Sequence, residues 1–404
     1  MQQQSFTKPH YIFFIVMASG ISQGFFQFTF PYLLTQKGFS DSYTSDILAL
    51  GLTANICRFL WGPFIDLSLS LKKWFWISTF SCIVTLMWLC IIPYNVKETL
   101  WIWIVAFLSQ IAATFVLAPV SGLMAKRIDV NKKSTASGWF QAGNFGGIAF
   151  GGGLGLWLAA HYNIFTSGIV LSIISLLFSL IIFKIDDVPH SKEKTIKIEL
   201  AEMAKDIFTM IKIPIVLFII LLICLPIGTG AFINLLTAVA KDWHVGVNTI
   251  ALVTGVLFSF VSAVGSVAGG FITHRLGNWK SYLGFGTIYA IVCGGMAAFP
   301  YIPIVYIIGV LVYAFVIGMM NAVFTSTLLF ASGKKNAATK FSVLVSLGNL
   351  PFVYMTAVDG WVHDKHSSKY MLLNEAALCL LSVLICIIIL KWMQAKKMIL
   401  KTID

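Results

Sequence analysis

Along the chain, apolar runs of about twenty residues alternate with shorter stretches that hold most of the charged and turn-forming residues. One helical crossing of a bilayer core takes about 20 apolar residues. Twelve such runs can be placed, at 11–34, 46–65, 74–93, 100–124, 136–160, 163–183, 213–238, 249–272, 281–299, 303–330, 341–360 and 371–393; they are segments 1 to 12. The pattern predicts an all-α membrane protein with twelve transmembrane helices. The one long charged interval, Lys184 to Lys212, divides the chain into an N-terminal six-helix half (1–183), a linker (184–212) and a C-terminal six-helix half (213–404). Within the linker, Ile196, Leu200, Met203, Ile207 and Met210 recur at helical spacing, while Lys197, Glu199, Glu202, Lys205 and Asp206 fall elsewhere around the wheel. This predicts an amphipathic helix on the membrane surface, acting as an interfacial strap or as a regulatory surface.

Composition agrees: 58% of the 404 residues are hydrophobic and 11% charged, against roughly a quarter charged in soluble domains, which excludes an ordinary cytosolic domain. A net charge of +12 would fit nucleic-acid binding, but its distribution points to topology instead. With the N-terminus in the cytoplasm, that side receives 22 of the 28 Lys and Arg. The other side receives five, Lys37, Lys97, Lys241, Lys365 and Lys369, and Arg58 alone lies inside a segment. By the positive-inside rule both termini and the linker are expected in the cytoplasm. The first apolar run is too long for the core of a cleaved signal and is read as a retained helix. All seven cysteines fall in apolar segments without metal-ligand spacing, so neither a disulfide framework, a metal site nor a cofactor is expected.

An internal repeat sets the architecture. Gly62 to Lys72 after segment 2 and Gly270 to Lys280 after segment 8 span the same ten positions. Gly143-Asn144 in segment 5 matches Gly348-Asn349 in segment 11 at a displacement of 205, close to the 208 of the first pair. Both argue for duplicated halves. The loop pattern, a glycine, three residues, an acid or its substitute and then a basic end, resembles the signature of the major facilitator superfamily, and the resemblance spans essentially the whole chain. The first copy keeps Asp66 but carries Leu67 and Leu69 where a basic residue and a glycine belong; the second keeps Arg275 and Gly277 but has His274 in place of the acid. Below that level, Arg58-Phe-Leu-Trp-Gly-Pro-Phe-Ile-Asp66, with Gln23-Gly24 and Pro31-Tyr32-Leu33, is similar to AmpG-type muropeptide permeases and their acetyl-CoA transporter relatives. Such relatives carry peptidoglycan fragments, acyl-CoA or siderophores, generally driven by protons.

Buried polar groups near the midplane are the candidates for binding a small-molecule substrate. Gln23 and Gln27, four apart, are expected on one face of segment 1. Gln110 repeats that spacing with Thr114 in segment 4, and Asn234 and Asn321 offer amides in segments 7 and 10. The resemblance makes segments 1, 4, 7 and 10 the cavity walls; the competing reading is that these amides only bond neighbouring helices. Arg58 either binds an anionic group of the substrate or makes a gate contact, since eight residues place it only about 12 Å from Asp66. The resemblance implies gating by Gly62, Asp66, Gly270, His274 and Arg275, with Asp66 meeting the N-terminus of segment 11 near Lys340 and Phe341. No carboxylate is expected inside a segment, because Asp46, Asp359 and Glu375 read as lying near ends. The proton site is therefore unassigned: Glu375 or a histidine such as His274 is able to titrate, exposed loop roles are the default for both, and facilitated diffusion or coupling through a charged substrate is left open.

Gly143, Gly147, Gly151 and Gly155 form a ladder for close helix packing; Ile148 stands where the resemblance implies a proline in antiporter members, so drug/proton antiport is not specifically supported. Gly20-Ile-Ser22-Gln-Gly24 fits a nucleophile elbow by chance, since it lies within a helix, and no enzyme constellation accompanies it. The expectation is a monomeric secondary active transporter in contact with lipid in a bacterial inner membrane, taking up a polar or anionic solute such as a muropeptide by proton-linked alternating access. A siderophore or drug carrier on the same fold is the alternative, and a non-transporting membrane enzyme or sensor the alternative of another class.

Overall fold

The structure, a computed structural model, describes residues 6–94, 99–188 and 196–396. Lys97, residues 189–195 of the linker and the last eight residues, with their expected sidedness, lie outside that range. The described chain is helical, and its helices make twelve passages. α1 is Tyr11–Gln36; α2 joins Asp41–Ile56, Cys57–Leu60 and Gly62–Leu67; α3 is Leu71–Ile91 and α4 Leu100–Arg127. α5 joins Lys133–Ala149, Phe150–Leu154 and Gly155–His161, and α6 is Ile164–Lys184. After the linker helix Ile196–Ile211, α7 begins as Pro214–Cys224 and resumes after a break in short turns from Ala231–Asn234 to Ala240–Trp243. α8 is Val247–Leu276, α9 Asn278–Ala298, α10 Pro303–Ser332, α11 Ala337–Lys365 and α12 Ser368–Ala395. Six passages precede the linker helix and six follow it, giving two six-helix halves.

Local chemistry sets the ends. Ser40 and Asn163 cap α2 and α6 by accepting from Tyr43 N (3.2 Å) and Thr166 N (2.7 Å), filling orphan amides of the first turn. Pro214 and Pro303 open α7 and α10, where no amide hydrogen is needed. Among the described residues nine helices are long and apolar enough to cross a membrane by length and composition alone. The remaining passages miss for visible reasons. α2 carries Asp41, Asp46 and Arg58 and is interrupted at Trp61; α5 holds eight glycines; α7 is broken. The linker helix turns through 82° into α7.

Small residues hold the bundle together, as expected where helices associate by close packing and interhelical hydrogen bonds. The glycine ladder of α5 lies against α1: a Cβ at Gly143 would sit 2.3 Å from Phe13 O, and one at Gly147 2.7 Å from Gly20 Cα. The glycines of the elbow-like motif face the same seam, a Cβ at Gly20 meeting Asn144 O at 2.2 Å and one at Gly24 meeting Ile148 O at 2.2 Å. That motif serves packing. α1, α5 and α8 each contain a π turn, at Phe25–Thr29, Phe150–Leu154 and Ala251–Leu257. The three meet: a Cβ at Gly152 would touch Phe28 and one at Gly153 would touch Val256.

Candidate functional site: a cavity between the two halves

A cavity of about 660 Å³ lies between the halves, walled by α1, α2, α4 and α5 on one side and by α7 to α11 on the other. Amides supply its polar lining, from Gln27, Asn55, Gln110, Asn234, Asn321 and Asn349, with hydroxyls such as Thr229 and Ser259 between them. Phenylalanines, including Phe26, Phe145, Phe258 and Phe324, supply much of the rest. Among the described lining residues none is Asp, Glu, Lys, Arg or His.

At the end beside the linker helix the cavity is sealed. Asp66 at the end of α2 accepts from Thr339 N and Thr339 Oγ1 on α11, both at 2.8 Å. Asn336, which precedes α11, stands at φ 48° and offers no side-chain cap, so a carboxylate from the other half takes the capping position at the positive end of α11. Such a charge-assisted bond contributes about 1.5–3 kcal/mol. Gly62 packs on the same point, where a Cβ would lie 2.6 Å from Thr339 Cα. On the other side of this end, α5 and α8 touch through Gly138 and Gly270, with a Cβ at Gly270 reaching Gly138 Cα at 2.8 Å. Ser134 Oγ lies 2.8 Å from Ser326 Oγ, and Gln141 Nε2 donates to Thr325 Oγ1 at 2.6 Å, tying α5 to α10. The cavity extends the other way, to Ser45 in the first turns of α2 and Thr237 in the last turns of α7.

The candidates from the sequence divide. Gln27, Gln110, Asn234 and Asn321 line the cavity. Gln110 Nε2 has no hydrogen-bond partner among the described residues, whereas Asn234 Nδ2 donates to Thr356 Oγ1 and Asn321 Nδ2 to Ile317 O, each at 2.9 Å. Gln23 faces away, donating to Ser19 Oγ (2.9 Å) and Asn144 Oδ1 (3.3 Å) of α5. The expectation that Gln23 and Gln27 share a face is corrected by the π turn Phe25–Thr29, whose wider turn rotates everything after it. Arg58 is 4% exposed and lies in the α2–α11 contact, its guanidinium 5.8 Å from the centre of the Phe341 ring. Gly62, Asp66 and Gly270 lie at the sealed end, and His274 and Arg275 are exposed at the last turn of α8.

The expectation of no interior carboxylate is overturned. Asp359 is fully buried and Glu375 is 2% exposed. α11 runs on to Lys365 and α12 starts at Ser368, so each carboxyl group sits about two turns inside its helix rather than at a tip, and the two lie close enough to interact electrostatically. Tyr289 Oη donates to Glu375 Oε1, and Tyr313 Oη lies 3.0 Å from Tyr289 Oη. The signal was present as a polar face of α12, Ser368, Glu375, Cys379, Ser382 and Cys386, all buried and separated by helical steps. Asn55 and Asn349 are also in the lining; in the sequence Asn349 reads only as part of the repeat, and Asn55, on segment 2, lies outside the segments expected as cavity walls.

Two repeated six-helix halves around a polar cavity sealed at one end define a membrane transporter rather than an enzyme. The chain belongs to the Major Facilitator Superfamily, whose family model matches residues 12–356. It is therefore a multi-pass integral membrane protein, of a superfamily whose members sit in lipid and bind small-molecule substrates. Its structure is similar to that of the human organic anion transporter MFSD10 (TETRAN), with a TM-score of 0.69 and 12% identity over 94% of this chain and 98% of that one. It is also similar to the proton:xylose symporter XylE bound to 6-bromo-6-deoxy-D-glucose, with a TM-score of 0.63 and 14% identity over 93% and 94% of the two chains. At such identities the likeness bears on fold alone. No curated protein matches the chain in sequence.

Proposed function

We propose that this protein is a secondary active transporter that takes up a moderately large polar solute, coupled to protons, by alternating access of the cavity. The observation that carries the reading is the lining itself: six amides, several hydroxyls and aromatic rings, with no charged side chain. Amides and hydroxyls match the donors and acceptors of a sugar- or peptide-like solute, and rings cover its apolar faces. The resemblance to muropeptide permeases supports a solute of that kind. Within the class, the lining favours neutral members over anions, because Arg58 lies outside the wall and no other cation replaces it. Gln27, Gln110, Asn234 and Asn321 are the binding residues of this reading, and Gln23 positions α1 against α5.

In the same reading, residues 1–183 and 213–404 rock against each other, joined by the 184–212 linker. Both termini and the linker face the cytoplasm of a bacterial cell, as the charge asymmetry supports. The sealed end is then the cytoplasmic gate, held by Gly62, Asp66, Gly270 and Arg58, and the protein faces outward. A siderophore or drug carrier is the second reading, favoured by the phenylalanines in the wall. Thermal stabilisation of the purified protein by neutral disaccharides, muropeptides, siderophores and acyl-CoA decides between them, since differential binding raises apparent stability. Stabilisation by sugar-bearing solutes, lost in Gln110→Ala, is expected; stabilisation by siderophores alone would transfer the assignment to the second reading.

A further inference from the structure

The wall of the cavity on the α7 side is open backbone rather than helix. Between Cys224 and Ala231 the chain leaves the α-conformation, with Gly228 and Gly230 at φ 60° and 77°, and Gly228, Thr229 and Gly230 line the cavity. Directly behind this break lies the buried carboxylate cluster. The backbone amide of Phe232, one residue into the turn that follows the break, lies close to Glu375, and the Phe232 ring stands edge-on to Tyr313 at 5.4 Å. Cys379, one turn after Glu375, lies beside the backbone of Gly228 on the other flank.

The titratable groups that face the pair are Tyr289 and Cys293 from α9, Tyr313 from α10 and Cys379 from α12 itself; α7 contributes only the Phe232 amide. Among the described residues no Lys, Arg or His forms an ion pair with Asp359 or Glu375. Both oxygens of Asp359 and Oε2 of Glu375 are buried without a hydrogen-bond partner. A polar network kept only for structure satisfies its members, and this one leaves three carboxyl oxygens unmet. Two carboxylates withheld together from water and from cations do not both remain charged. At least one of the two therefore carries a proton.

We propose that Asp359 and Glu375, with the hydroxyls of Tyr289 and Tyr313, form the proton-carrying site of this transporter, and that loading and unloading it moves the α7 break and so the cavity wall. The proposal rests on the proton-linked reading above. The step is proton transfer alone: a carboxyl O–H bond forms on loading and breaks on release, the proton coming from and returning to water. Unloading leaves like charges that repel across α11 and α12 and that draw the Phe232 amide toward Glu375, to which the Tyr289 hydroxyl is already bonded. The two helical pieces of α7 are joined through the non-helical 225–230 stretch, so the second can shift without bending a continuous helix.

The test uses the full chain in phosphatidylethanolamine/phosphatidylglycerol vesicles and needs no substrate. Infrared difference spectra between acid and alkaline pH report a protonated carboxyl group. The labelling rate of a cysteine placed at Thr237, in a Cys57→Ser/Cys224→Ser background and divided at each pH by the rate of the same cysteine in denatured protein so that thiolate ionisation cancels, reports the cavity wall. Glu375→Gln keeps an acceptor for Tyr289 but cannot titrate, and Asp359→Asn is the independent second variant should the first not fold. The native pair is expected to lose its protonated-carboxyl band as pH rises while the labelling rate changes several-fold over the same range. In either variant the band should diminish and the labelling rate become independent of pH. An unchanged band, or a native pH profile of labelling in both variants, overturns the proposal. Uptake of a stabilising disaccharide or muropeptide that ignores an imposed pH gradient, with band and labelling as expected, overturns the proton-linked reading and the coupling role with it, a result distinct from any produced by the carboxylate variants.

Discussion

Gly62-to-Asp66 and Gly270-to-His274 occupy matching places in the two repeats, and the structure closes the same end of the cavity with both. After α2, the closure is electrostatic: Asp66 caps α11 through Thr339 N and Oγ1, and Arg58, about two turns earlier, lies beside Phe341. After α8, it is steric: Gly270 packs on Gly138 of α5, while His274 is exposed and meets no helix end. A duplicated backbone thus retains its close approach in both copies while the charge survives in one. Backbone proximity needs only a glycine, whereas an anion is useful only where an uncapped helix start awaits it. Asn336, without a side-chain cap, leaves α11 in that condition.

The steric contact should be the most sensitive to substitution. Gly270→Leu places a side chain where even a Cβ lies 2.8 Å from Gly138 Cα, so a loss of about 3 kcal/mol or more is expected, in line with overpacking, read as a fall in unfolding temperature in detergent. Gly147→Leu, against Gly20, should do the same inside the first half. Normal yield and stability in both would remove the packing side of the comparison.

Asp66→Asn should fold and insert but release the gate. Losing a charge-assisted bond of about 1.5–3 kcal/mol moves the conformational equilibrium by tenfold or more toward cavity opening at the linker end. Engineered cysteines near Thr339 and near Ser45 measure it, the first gaining and the second losing accessibility. Arg58→Ala should insert at least as well as the parent, since it removes a charge from a helix interior. A lost cation–π contact of about 0.5–2 kcal/mol lowers turnover and leaves solute affinity intact, because Arg58 does not line the cavity. A collapse of affinity instead would place Arg58 in the binding site.

Smaller effects sharpen the comparison. The linker helix is tied to the start of α11 by Asp206, which pairs with Lys340 Nζ at 2.9 Å and accepts from Asn336 Nδ2 at 3.0 Å. Asp206→Asn should cost no more than about 1 kcal/mol, as part-exposed ion pairs do, and shift the accessibility of Thr339 less than Asp66→Asn does. His274→Asn should leave stability within about 0.5 kcal/mol and accessibility unchanged. An effect equal to that of Asp66→Asn would end the asymmetry.

The sequence by itself determined the number of crossings, because a crossing must satisfy its own backbone hydrogen bonds and so writes an apolar run into the chain, but not the interruptions of α2 and α7. It also marked Gly62, Asp66 and Gly270, since a repeat of fixed spacing is legible without coordinates. Rotation about the helix axis was not legible. Gln23 and Gln27 read as one face until a π turn between them sends one to α5 and the other to the cavity. Depth was not legible either, since Asp359 and Glu375 resemble helix tips when charge alone marks an end. Only the packing of α9, α10 and α12 shows them enclosed with Tyr289 and Tyr313. Local sequence fixes which residues are helical; which direction a polar side chain faces depends on neighbours tens to hundreds of positions away, and only the tertiary structure brings those neighbours together.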